Sequence, residues 1–164
     1  MHFSSIQSSA ICSLLIAVGA IGQQGAAANK TKCAEPQLVT DSKYSPGQVW
    51  TYKTRGSEDS STITILRVED LPKVGVILHV RIDGIKLKNC TSGPSPTTVQ
   101  HAPFTKDAID RSVVRIVETD RKLPDYEDGY SDWRVHCGGV YTITVAEMLK
   151  ADEATFVAGM NCPK

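Results

Sequence analysis

Gly47-Gln48-Val49-Trp50-Thr51-Tyr52-Lys53, Thr62-Ile63-Thr64-Ile65-Leu66-Arg67-Val68 and Val74-Gly75-Val76-Ile77-Leu78-His79-Val80-Arg81-Ile82-Asp83 are three runs rich in β-branched and aromatic residues, parted by polar turns at 56–61 and 70–73. That pattern predicts an antiparallel three-strand meander. Connections this short cannot carry a parallel crossover. In the third run Val74, Val76, Leu78, Val80 and Ile82 alternate with Gly75, Ile77, His79, Arg81 and Asp83. The first set is assigned to the core and the second to an outward, solvated face. The second run breaks parity, because Ile63 and Ile65 share one phase and Leu66 and Val68 the other. Either a bulge near Ile65 or cover on both faces is needed there.

Downstream, 91–103 reads as a loop around Ser92-Gly93-Pro94-Ser95-Pro96. A helix is expected to follow, with Thr105 as N-cap, Asp107 in the first turn and Phe104 and Ile109 as a hydrophobic staple. Ile109, Val113 and Ile116 recur at helical spacing and carry this helix to about Glu118. A second short helix is expected from Asp125 to just before Gly138-Gly139, with Tyr126, Tyr130 and Trp133 on one face. Gly139-Val140-Tyr141-Thr142-Ile143 reads as a late strand, and Thr144-Val145-Ala146-Glu147 is a capping box opening a last helix. The expected order is β-β-β-α-α-β-α. It implies an α+β domain with a small antiparallel sheet of about four strands and helices packed on one face.

Residues 1–28 read as an export signal. Ala10–Ala20 is an apolar segment too short to span a bilayer comfortably, and Ala26-Ala27-Ala28 offers a cleavage site. Residues 29–164 then form the single α+β domain, and no stable membrane insertion is expected after cleavage. All 18 Lys and Arg and all 18 Asp and Glu lie beyond Ala28. The balance gives no general attraction to nucleic acid or anionic membrane. Four of the five cysteines also lie beyond Ala28: Cys33, Cys90, Cys137 and Cys162. An even number in an exported chain implies two disulfides, and their wide spacing without a Cys-x-x-Cys pair argues against zinc. Cys33–Cys162 joins the two mature ends, and Cys90–Cys137 joins the end of the third strand to the start of the late one. This pairing is the expected one of three.

No nucleotide-binding or catalytic motif stands in the chain, and neither a cofactor nor a metal is expected. His79 with Asp83 on one strand face is the candidate acid–base pair, set against a solvated strand face that does nothing. His101 and His136 fall elsewhere and nothing in their spacing demands a metal. The acidic–aromatic stretch 125–133 is the most distinctive composition. Its Tyr126, Tyr130 and Trp133 are candidate partner-binding residues, set against an ordinary amphipathic helix with an aromatic core face.

Pro46-Gly47-Gln48-Val49-Trp50-Thr51-Tyr52-Lys53-Thr54, the Thr62–Leu66 run, Asp128-Gly129-Tyr130-Ser131-Asp132-Trp133-Arg134 and Gly139–Ile143 together resemble a family of small exported bacterial proteins. The resemblance covers most of the mature chain. It implies a bacterial source, and hence the periplasm or the exterior, but transfers no activity and no functional residue. A stapled domain without a catalytic constellation points first to an exported binding protein with a protein partner, such as an inhibitor or immunity protein acting on another enzyme. The alternatives are a small periplasmic hydrolase using His79 and Asp83, and a structural component of the cell envelope.

Overall fold

The computed structural model describes residues 33–89 and 93–159. The expected signal segment 1–28 lies outside the described residues, as do Cys90 and Cys162. The elements are β1 (Gln37–Leu38), β2 (Val49–Tyr52), β3 (Thr62–Leu71), β4 (Gly75–Asp83), β5 (Thr98–Thr105), α1 (Lys106–Ser112), β6 (Val113–Glu118), α2 (Glu127–Val135) and α3 (Val145–Gly159). The sheet is antiparallel throughout, with strand order β5-β4-β3-β2-β6, and β1 pairs with one end of β3. The class is α+β, and the expected meander is β2-β3-β4.

Three expectations about the elements are corrected. The first helix stops at Ser112 instead of running to about Glu118, and Val113–Glu118 continues as a strand beside β2. Val113, Val114, Ile116 and Val117 are β-branched; they lose rotamer freedom in a helix and fit a pleated surface better. The segment expected as a loop supplies β5, which pairs with β4 from Thr98 onward. The late strand 139–143 is reduced to a single bridge between Phe104 and Tyr141. The helix caps hold as expected. Thr105 accepts from the Ala108 N–H at 3.3 Å. Glu147 Oε2 accepts from the Thr144 N–H at 2.8 Å.

Helices cover both faces, not one. Leu78, Val80 and Ile82 pack with Ile63, Ile65, Val68, Phe104 and Ala102 against Ala108 and Ile109 of α1 and Val145, Met148 and Leu149 of α3. Alternation sends Ile77 and His79 to the opposite face, where α2 lies, and both are fully buried. The reading of that face as solvated is therefore corrected.

Two bulges decide what stands on the α2 face. The β3–β4 register shifts between Ile65 and Arg67. Before the shift odd-numbered residues of β3 (Ile63, Ile65) face the main core; after it the even-numbered Val68 does. Glu69 is thereby turned away from the apolar core and onto the face of His79. The β4–β5 register shifts between Val80 and Ile82. Val99 packs on the main core before this shift, and Ala102 and Phe104 do so after it. His101 therefore shares the α2 face. Bulges commonly re-aim side chains in this way.

Candidate functional site

Glu69, His79 and His101 come from three adjacent strands and form a hydrogen-bonded line across the sheet. In the β3–β4 ladder Glu69 pairs with Ile77, which puts His79 at the diagonal position. In the β4–β5 ladder His79 pairs with Pro103, which puts His101 diagonal to it. His79 Nε2 lies 3.1 Å from Glu69 Oε2, and His79 Nδ1 lies 2.8 Å from His101 Nε2. The two imidazole planes are 16° apart with centroids at 5.0 Å. Because the nitrogens approach far more closely than the ring centres, the rings meet edge to edge, the arrangement an N–H···N bond needs.

The remaining contacts fix the polarity of the line. Glu69 Oε1 accepts from Arg67 Nε at 2.6 Å and from the Tyr130 hydroxyl at 2.9 Å. A carboxylate bonded to a guanidinium only accepts, so His79 Nε2–H donates to it. Burial pushes the His79 pKa down to about 4, with the neighbouring His101 adding to the effect. His79 is therefore neutral at pH 7, and its Nδ1 is an acceptor. His101 Nε2–H must donate to that Nδ1, which leaves the lone pair on His101 Nδ1. Burial also lowers the pKa of His101.

α2 closes this line from above. Tyr130 and Trp133 meet the His79 ring edge-on, with centroids at 5.1 Å and 4.8 Å. Arg134 Nη1 donates to the Tyr130 hydroxyl at 3.3 Å, and its Nη2 pairs with Glu35 of the N-terminal segment. The same two segments are joined covalently by a disulfide between Cys33 and Cys137. That bond replaces the expected Cys33–Cys162 and Cys90–Cys137 pairing. The N-terminal segment runs beside α2, a proximity the sequence spacing did not reveal. Trp133 Nε1 donates to the Gly139 carbonyl at 2.9 Å, and a side chain at Gly138 would collide with the Trp133 ring.

Beside this line opens a cleft of about 580 Å³, walled by His101, Pro103, Trp133, Val140, Tyr141, the glycines 129, 138 and 139, and the exposed Asp132–His136 pair at 3.1 Å. The structure does not bring the expected acid–base pair together. Asp83 takes the Arg81 guanidinium at 2.9 Å and the Thr98 hydroxyl at 3.1 Å, while His79 takes Glu69. Fully buried, His79 also cannot touch a ligand in the cleft. Of the three aromatic candidates, Trp133 lines the cleft and Tyr130 is buried on Glu69. Tyr126 borders a second pocket of about 300 Å³ with Gln100 and Gly129. Among the described residues no group of three or more His, Cys, Asp or Glu side chains is arranged to hold a metal ion. Among the same residues no helix is long and apolar enough to cross a membrane. Glu69 was missed in the sequence, although the parity break between Ile65 and Leu66 was the signal that places it.

No protein-family model, curated protein or solved structure matches the chain.

Proposed function

We propose that the chain is a small exported binding protein whose recognition surface is the cleft between α2, β5 and residues 138–141. The make-up of that cleft carries the reading. Trp133, Tyr141 and Pro103 offer apolar area, the glycines leave flat backbone, His101 offers an oriented polar atom, and the other charged groups, Asp132 and His136, are paired with each other and face solvent. A concave, mostly apolar site with few polar groups on a rigid sheet is what small ligands need. A concave surface receives its partner, which makes this a receiving site, less suited to an inhibitor that fills another enzyme's pocket. The resemblance to small exported bacterial proteins and the Ala10–Ala20 segment support a periplasmic or extracellular location. So does the Cys33–Cys137 bond, since such bonds persist in oxidising compartments.

Two measurements test this. Anisole, a neutral aromatic probe, should shift the NMR signals of Trp133, Tyr141 and His101 and not those of Trp50; unchanged signals at the cleft would overturn the site. Protein recovered from its source should begin near Asn29, and soluble protein retaining Met1 would overturn export.

The Glu69–His79–His101 line favours one second reading, an acid–base enzyme in which His101 and not His79 meets the substrate. In that case His101→Phe should lower turnover by about 100-fold or more, the usual worth of a general base.

A further inference from the structure

The uncovered nitrogen of His101 narrows what the cleft can hold. Its Nε2 is committed to His79 at 2.8 Å, and its Nδ1 has no hydrogen-bond partner among the described residues. Gly129 lets α2 lie against His101 without a side chain over that edge of the ring. A Cβ there would stand 2.9 Å from the His101 Cβ and 3.6 Å from its Nδ1. The donor order set by Arg67 and Glu69 makes Nδ1 a lone pair, so it receives a hydrogen bond and offers none. Around it the cleft supplies the Trp133 and Tyr141 rings and Pro103. Flat apolar walls favour a planar ring, because aromatic faces and edges pack at such distances.

We infer that the cleft takes a planar aromatic ligand carrying an O–H or N–H donor, and that His101 Nδ1 is the acceptor that receives this donor. The inference rests on reading the cleft as the recognition surface. It adds the class of ligand and a direction for the hydrogen bond. A ligand with a carboxylate at that point is disfavoured, because an anion would meet a lone pair whose imidazole is kept neutral by burial.

The experiment compares phenol, anisole and benzoate as probes of the full chain at pH 8, read by NMR shifts of the Trp133 and Tyr141 signals. Phenol should bind up to about tenfold more tightly than anisole, the worth of one net hydrogen bond, and benzoate more weakly than either. Equal affinity for phenol and anisole would overturn the acceptor and leave the cleft standing. No binding by either would overturn the cleft itself. His101→Phe, which keeps a flat ring, should abolish the preference for phenol. In the unaltered protein, nitrogen NMR of the imidazoles gives a reading that does not depend on a variant folding. His101 should carry its proton on Nε2, and a proton on Nδ1 would overturn the inference.

Discussion

A histidine without exposed surface must have both ring nitrogens satisfied by protein, and His79 does, between Glu69 and His101. Its burial has a measurable consequence. The pKa falls from the ordinary 6.5 to about 4. Between these values the unfolded chain binds the proton and the folded chain does not. Stability is therefore full above pH 6.5 and is lost as pH falls toward 4. Between pH 7 and pH 5 the loss from this residue comes to about 2 kcal/mol. His101, lowered in the same direction, adds to it. Asp110 lies outside this window, since its lysine partners and the Tyr44 hydroxyl outweigh burial and hold it at about 2. Urea unfolding at the two pH values should show the difference, and His79→Gln should remove most of it. An unchanged pH slope in that variant would mean that His79 is not the group responsible.

At the scale of elements, what the sequence revealed follows from how local each signal is. Period-two alternation through Gly75–Asp83 and the Thr144–Glu147 capping box involve neighbours in the chain, and both are found, whereas Val74, assigned to the core, lies in the turn before the strand and is exposed. The fate of Val113–Glu118 depended on a vacant flank of β2, which no local pattern announces. The outward phase of β4 was read correctly, but its burial by α2 depends on contacts far along the chain. Glu69 and His101 share the face of His79 only because of the two bulges, and the sequence signals just the first, through the parity break between Ile65 and Leu66. A second buried charge shows the same non-local dependence. The Glu58 side chain is fully buried, yet its pKa is lowered, because bonds from Arg55 and the Lys86 N–H outweigh the effect of burial. Arg55 also reaches Glu153 of α3 at 3.1 Å, so one guanidinium ties the β2–β3 turn to the last helix. Arg55→Ala should cost about 3 kcal/mol, chiefly by leaving Glu58 buried without its cation. Thermal unfolding measures this loss. Adding Glu58→Gln to that variant should restore part of the stability, and no recovery would place the cost in lost packing instead.

At the largest scale the described residues form a sheet with unequal covers. One face carries the main apolar core with α1 and α3. The other carries α2, a helix of nine residues laid over a polar line and fastened at its end by Cys33–Cys137 and Glu35–Arg134. A bond closing a loop across 104 positions should stabilise the fold by about 4.7 kcal/mol in the chain-entropy account. It also holds the cover that buries least of itself, Tyr130 alone against three residues each in α1 and α3. The two tryptophans report the two faces separately, since Trp50 packs against the main core and Trp133 against His79. With the disulfide intact, Trp50→Phe and Trp133→Phe proteins should unfold in urea with coincident transitions, as a single cooperative unit does. With Cys33→Ser and Cys137→Ser added, the Trp133 signal should be lost at lower urea than the Trp50 signal, because the α2 face then opens before the core. Coincident transitions without the disulfide would show instead that the Glu69–His79–His101 line and its aromatic neighbours hold α2 to the sheet unaided.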